Sequence, residues 1–156
     1  MKSLIIYDTF FGNTEKIAQA IGGALAARGE VQVLKVTDVT AAHLAGVELL
    51  VVGSPTRAFR PSPATQAWLK ALPAGTLRGV RVAAFDTRIP LETAPGFLKV
   101  MIKLFGWAAL PIAQGLEKKG GTLAAPPVGF DVVASEGPLK EGEEARAAAW
   151  GAGLAG

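Results

Sequence analysis

Short apolar runs rich in β-branched residues alternate along this chain with longer segments in which apolar residues recur at helical spacing. This alternation is typical of βαβ units, in which helices join parallel strands and cover the faces of the sheet. Five runs are short enough to be buried strands. They are Ser3 to Tyr7, Val31 to Val36, Glu48 to Gly53, Val80 to Phe85, and Thr122 to Ala125 continued by Phe130 to Ala134. Pro126 and Pro127 interrupt the last run, which predicts a broken or bulged fifth strand.

The segments between these runs predict helices. Thr14 to Arg28 places Ile17, Ile21 and Leu25 along one stripe, and Gly29 follows as a stop signal. The other predicted helices are Ser62 to Leu72, Pro95 to Phe105, and Glu141 to Leu154. The pattern of the second of these continues after Gly106 as far as Lys119, although Pro111 favours two pieces. Trp150 lies at helical spacing from apolar neighbours and is predicted to be core. The pattern therefore predicts one α/β domain over residues 1–156, with a parallel sheet and neither repeats nor a long linker.

The composition fits a domain whose core needs no covalent or metal support, because half of its 156 residues are apolar. The absence of cysteine excludes disulfides, thiolate zinc sites, cysteine nucleophiles and iron–sulfur ligation, so any redox chemistry has to come from a bound cofactor. Glu136, Glu141, Glu143 and Glu144 have no metal-binding spacing and are interpreted as a solvated helix terminus. The sequence thus predicts no metal site, and no side chain is assigned a catalytic role.

The charged residues give little sign of a nucleic-acid or membrane partner. The net charge is only +3, and the lysines and arginines are scattered rather than gathered into one run. No stretch reaches the roughly 18 consecutive apolar residues of a membrane helix. Leu4 to Tyr7 is too short for the apolar part of a signal peptide. We therefore expect a cytoplasmic protein that binds neither nucleic acid nor a membrane.

The loop after the first strand has the composition of an anion site. In an open parallel sheet, ligands bind outside the carboxyl ends of the strands, so the residues that follow each strand carry the chemistry. Here they are Thr9, Phe10, Phe11, Gly12, Asn13 and Thr14. Backbone N–H groups of the loop and helix start, together with the threonine hydroxyls and the asparagine amide, would hold a phosphate. The alternative is that Asn13 or Thr14 merely caps the helix, although capping leaves two phenylalanines in one short turn unexplained.

The segment YDTFFGNTEKIA resembles the first strand, loop and helix of flavodoxins. The phosphate loop of that family reads S/T-x-T-G-x-T, and Thr9, Gly12, Asn13 and Thr14 fall on matching positions. Phe11 departs from the pattern by replacing a threonine, but an aromatic residue there is similar to the loops of flavodiiron flavodoxin domains and of certain quinone reductases. The resemblance implies a doubly wound, five-stranded parallel sheet of order 2-1-3-4-5 that binds FMN.

Two further loops are expected to complete the cofactor site. Ser54, Pro55 and Thr56 resemble the turn after the third flavodoxin strand, which implies polar contacts along the ribityl chain, and Arg57 or Phe59 would lie flat against the ring. A tight proline-containing crossover is the alternative. After the fourth strand come Asp86, Thr87 and Arg88, where flavodoxins often present a tyrosine. Either the ring is open on that side or a neighbouring chain covers it, and a surface Asp–Arg pair is the alternative interpretation.

The resemblance implies electron transfer through FMN to a redox partner protein or a small-molecule acceptor. The chain is basic, with a sequence pI near 9.4, and arginines occupy the loops expected around the ring. Attraction to the reduced flavin anion predicts a less negative reduction potential than that of acidic flavodoxins. Two alternatives stay open: an NAD(P)H-dependent FMN oxidoreductase of the quinone reductase type, and a flavin-free interaction module, for which Phe11 is the main support. The donor, the acceptor and the oligomeric state do not follow from the sequence.

Overall fold

A parallel sheet of six strands organises the computed structural model, which describes residues 1–56, 60–90, 96–97, 99–100 and 107–156. The strands in this part of the chain are β1 (Lys2–Tyr7), β2 (Glu30–Lys35), β3 (Leu49–Pro55), β4 (Arg81–Arg88), β5 (Thr122–Leu123) and β6 (Val128–Asp131). Their order is β2-β1-β3-β4-β5, with β6 also paired to β4. The predicted α/β class and the 2-1-3-4-5 order are thereby confirmed.

The fifth position of the sheet is shared by two short strands. β5 pairs with the start of β4 (Arg81 opposite Thr122), and β6 pairs with its end (Phe85 opposite Val128). Pro126 and Pro127 lie between them and lack the N–H that a continuous ladder requires. The predicted interruption of the fifth strand is confirmed, although its second half ends at Asp131 rather than Ala134.

The helices in the described residues are α1 (Asn13–Leu25), α2 (Pro63–Ala71), α3 (Ala109–Lys118) and α4 (Glu143–Leu154). The first ends three residues earlier than predicted, because Ala26–Arg28 forms a 3-10 turn before Gly29. The last begins at Glu143 instead of Glu141, because Gly142 precedes it in the left-handed conformation with a φ of 88°. Most of the predicted helix Pro95 to Phe105 lies outside the described residues.

The sheet separates two apolar clusters, since successive side chains of a strand point to opposite faces. Leu50 and Val52 belong to the cluster under α2 and α3, whereas Leu49 and Val51 belong to the cluster under α1 and α4. In the second cluster, Trp150 meets Phe85 and Phe130 edge to face, with ring centroids 6.3 and 6.1 Å away. The predicted core role of Trp150 is confirmed.

Glu143 links α4 to β6 and is not part of a solvated terminus. Its side chain is buried, and its Oε2 accepts the backbone N–H of Asp131 at 2.7 Å. The Arg146 guanidinium donates to both carboxylate oxygens, at 2.8 and 2.6 Å. The hydrogen bond from Arg146 holds the pKa of Glu143 below its usual value, against the effect of burial. The interpretation of Glu143 as a solvated residue was wrong because its partner Asp131 is a strand residue brought close only by folding.

Candidate functional site

A cleft of about 370 Å³ opens at the carboxyl edge of the sheet, where the loops after β1, β3 and β4 converge. That volume lies in the range of small-molecule sites. Residues from all three predicted loops line it, together with a fourth segment. The lining residues are Thr9, Phe10, Phe11, Asn13, Thr14, Pro55, Thr56, Thr87, Arg88, Ile89, Val132, Ser135 and Glu136. Among the predicted site residues, Gly12, Ser54 and Asp86 do not line the cleft, and Arg57 and Phe59 lie outside the described residues.

The loop after β1 leads into a helix whose first turn has no side-chain cap. Gly12 precedes α1 with a φ of 90°, a left-handed conformation that favours glycine, and its N–H donates to Thr9 Oγ1 at 2.9 Å. Phe10 and Phe11 are 45% and 50% exposed. The helix therefore presents its first N–H groups, with their partial positive charge, to the cleft.

The alternative that Asn13 or Thr14 caps α1 is wrong, because both side chains bond elsewhere. Asn13 Nδ2 donates to the carbonyl oxygen of Glu136 at 3.1 Å, and Thr14 Oγ1 lies 2.8 Å from Thr87 Oγ1. The first contact ties the loop to the segment after β6, and the second ties it to the end of β4. Residues adjacent in sequence thus fasten the loop to two different walls of the cleft.

The loop after β3 is fixed by the side chains predicted to touch a ligand. Ser54 is fully buried, and its Oγ accepts the N–H of Ser62 at 2.8 Å and donates to the Pro55 carbonyl at 2.9 Å. Thr56 lines the cleft while its Oγ1 accepts the N–H of Ala108 at 3.1 Å. The buried hydroxyl of Ser54 therefore fixes the end of β3 against Ser62, and Thr56 joins the loop to Ala108 at the start of α3.

Asp86 and Arg88 form a buried pair, which corrects the interpretation of a surface pair. Asp86 is 0% exposed, and Arg88 donates to it through Nε at 2.6 Å and Nη2 at 2.7 Å. The N–H of Ala109 adds a third bond at 2.9 Å. Burial raises the pKa of Asp86, and the hydrogen bond and charge of Arg88 oppose that rise. Asp86 thus lies beneath the cleft wall, and Arg88 forms part of that wall.

Trp107 and the segment 132–136 contribute to the cleft region although the sequence did not assign them to it. The Arg88 guanidinium lies over the Trp107 ring, 4.4 Å from its centroid. Val132, Ser135 and Glu136 line the cleft after β6. The predicted fifth strand ran to Ala134 and so included Val132. Ser135 and Glu136 directly follow that predicted end, and the rule that ligands bind after the carboxyl ends of strands would have found them.

Three metal-ligating side chains do not come together anywhere among the described residues. A helix of membrane-spanning length and apolarity is likewise absent from the part of the chain that the structure covers.

Together, the doubly wound sheet and the cleft at its switch point define a flavodoxin-like α/β protein. A family model described as Flavodoxin matches residues 5–150, and the chain belongs to the flavodoxin family. A comparison with curated protein sequences gave no match. The family assignment thus rests on the sequence model, and solved structures add the likeness of fold.

Solved structures of several flavodoxins and of one oxidoreductase have this fold. Oxidised flavodoxin 1 from Bacillus cereus superposes with a TM-score of 0.77 at 18% identity, covering 99% of this chain and 97% of that one. A flavodoxin from the domain Archaea gives 0.72 at 21% identity, with coverage of 99% and 96%. Rubredoxin oxygen:oxidoreductase from Desulfovibrio gigas gives 0.71 at 18% identity, and 99% of this chain matches 35% of that longer one.

Proposed function

We propose that the cleft binds FMN and that the protein transfers electrons through it. The observation that carries this proposal is the loop Thr9 to Thr14, which opens into the cleft at the uncapped start of α1. Backbone N–H groups at a helix start, with the adjacent hydroxyls, suit a phosphate dianion. FMN would supply the one- and two-electron chemistry, which no side chain of this chain can provide. The protein would hold the phosphate and orient the ring between the loops after β3 and β4.

Phe11 does not conflict with this role. A threonine at that position would offer one hydroxyl, worth about 0.5 to 1.5 kcal/mol as a neutral hydrogen bond. The left-handed turn at Gly12 and the first N–H groups of α1 are retained, and Thr9 keeps its hydroxyl at the cleft. The half-exposed ring of Phe11 instead adds apolar surface to the cleft rim. Support for the flavin-free module thus reduces to one missing hydroxyl.

Titration with FMN and with riboflavin, which lacks the phosphate, tests the proposal. The protein should bind FMN at least tenfold more tightly, because charge-assisted hydrogen bonds to the phosphate are absent from riboflavin. Thr9→Ala should weaken FMN binding about tenfold and leave riboflavin binding unchanged. Thr9→Ser, which keeps the hydroxyl, serves as the matched control. Failure to take up FMN, or equal affinity for the two flavins, would count against the proposal and favour the flavin-free module.

The reduction potential of the bound flavin is expected to be less negative than that of acidic flavodoxins. The chain carries a net charge of +3, and Arg88 reaches the cleft wall. Pairing with Asp86 compensates part of that arginine charge, so the shift should be smaller than the arginines alone suggest. A redox titration of the FMN-loaded protein measures the reduction potential of the bound flavin. A two-electron potential as low as that of acidic flavodoxins would contradict the expectation.

One observation favours the alternative of an NAD(P)H-dependent oxidoreductase. Thr87, Arg88 and Ile89 line the cleft where flavodoxins often place a tyrosine, so these three positions offer no aromatic ring to cover the flavin. An open ring face would accept a nicotinamide or a quinone. Reduction of a quinone at the expense of NADPH separates this alternative from a carrier, which would show no such turnover.

A further inference from the structure

The Arg88 guanidinium is held by Asp86 and Trp107 before any ligand binds. Asp86 binds it through Nε and Nη2, which leaves Nη1 outside this ion pair. Trp107 covers one flat face at 4.4 Å from the ring centroid. The Arg88 side chain is only 19% exposed and forms part of the cleft wall. Such a group loses little side-chain entropy when it meets a ligand, because its rotamer is already fixed.

Gly129 provides the space in which this guanidinium lies. Asp86 and Gly129 are paired across β4 and β6, and a Cβ on Gly129 would lie 2.0 Å from Arg88 Nε and 2.1 Å from Cζ. Gly129 is an ordinary strand residue without a positive φ, so its backbone does not require glycine. The missing side chain therefore serves the position of Arg88, and alanine there would displace the guanidinium without straining the strand.

Arg88 serves a different part of the cleft from the loop after β1. β4 is separated from β1 by β3, a distance of about 10 Å across two strand spacings. Thr87 points to the face that carries α1, where it meets Thr14, so Arg88 as its neighbour points to the face that carries α3. The guanidinium is also partly neutralised by Asp86, which suits it to neutral acceptor atoms better than to a dianion.

We propose that Arg88 is a specificity-determining residue for the ring half of the ligand, with Asp86, Trp107 and Gly129 as its positioning residues. The inference rests on the proposed function, because it takes the ligand to be a flavin. The guanidinium offers planar N–H donors to the carbonyl and ring-nitrogen acceptors of the isoalloxazine, independently of the phosphate. Since reduction adds negative charge to the ring, the same donors bind the reduced flavin more tightly than the oxidised one.

Gly129→Ala tests the inference, because it displaces the guanidinium while retaining both charges of the pair. Dissociation constants are measured for oxidised FMN, oxidised riboflavin and reduced FMN. The affinities for oxidised FMN and for oxidised riboflavin should fall by the same factor, about tenfold. The affinity for reduced FMN should fall by a further factor of about ten, which shifts the two-electron potential of the bound flavin by about −30 mV. Gly23→Ala is the matched control, because a Cβ there meets nothing within 4 Å.

Trp107→Leu provides a second variant should Gly129→Ala fail to fold. We expect it to lose less affinity for each flavin, in the same pattern. A loss of affinity for FMN but not for riboflavin would assign Arg88 to the phosphate and overturn the inference. Equal weakening of oxidised and reduced flavin, with the potential unchanged, would reduce Arg88 to a structural role and also overturn it. If the parent protein bound flavin and the variants bound it with the same affinities, the inference would also be overturned. Failure of the parent protein to bind either flavin would overturn the proposed function itself.

Discussion

Replacing Asp86 with alanine is expected to lower the free energy of unfolding by about 3 kcal/mol, because it breaks a buried ion pair by removing one partner. Asp86 is 0% exposed and accepts three hydrogen bonds, two from Arg88 and one from the N–H of Ala109. The substitution leaves the Arg88 charge and a buried backbone donor without their acceptor. Urea unfolding followed by far-UV circular dichroism measures the loss.

Two further variants show whether the loss comes from the buried contacts of Asp86. Asp86→Asn keeps the side-chain volume and one acceptor oxygen, so its loss should be clearly smaller than that of Asp86→Ala. Glu117→Ala changes an exposed carboxylate on α3 and should alter stability by less than about 0.5 kcal/mol. If Asp86→Ala were as stable as Glu117→Ala, the pair would contribute nothing to the fold, contrary to the geometry.

Gly53→Ala is expected to cost about 2 to 3 kcal/mol, because β3 passes directly over an aromatic ring at this position. A Cβ on Gly53 would lie 2.0 Å from Phe85 Cζ, and both residues are in the sheet interior. The Phe85 ring has little room to retreat, since Phe130 and Trp150 pack against it edge to face. Thermal or urea unfolding measures the change.

The glycine substitution has its own control and rescue. Gly23→Ala, in the interior of α1 with open space around it, should stabilise the protein by about 0.5 to 1 kcal/mol. Phe85→Leu in the Gly53→Ala background should recover part of the loss, because a smaller side chain relieves the overlap. Equal effects of Gly53→Ala and Gly23→Ala would show that Phe85 does not confine this strand.

Strand positions were predictable from sequence, but the end of β4 was not. Apolar runs placed the five predicted strands, whereas β4 continues for three polar residues, Asp86, Thr87 and Arg88, beyond the predicted end at Phe85. Polar residues after an apolar run favour a loop. Here Asp86 is satisfied by Arg88 and Ala109, so the strand can extend into the interior. A buried polar strand end depends on partners that no local pattern records.

The candidate site was predictable where its residues are consecutive and not where they meet by folding. The loop Thr9 to Thr14 was identified from its residue types and its position after a strand. Asn13 reaches the Glu136 carbonyl across 123 residues, and Trp107 reaches Arg88 from the start of a distant helix. Such contacts are set by the packing of α1 and α3 on the sheet. The sequence therefore identified the loops after β1, β3 and β4, and it missed the segment after β6 and the contact of Trp107 with Arg88.

The division of the fifth sheet position into β5 and β6 also affects how the protein behaves towards other copies of itself. An uninterrupted edge strand offers a row of unpaired N–H and C=O groups on which another chain can add a strand. Here that edge is a two-residue strand and a four-residue strand, separated by a segment containing two prolines that lack a donor. Glu143 also accepts the N–H of Asp131 and Arg146 donates to the Gly129 carbonyl, so two charged side chains of α4 occupy backbone groups of β6. This side of the sheet is thereby protected against edge-to-edge aggregation.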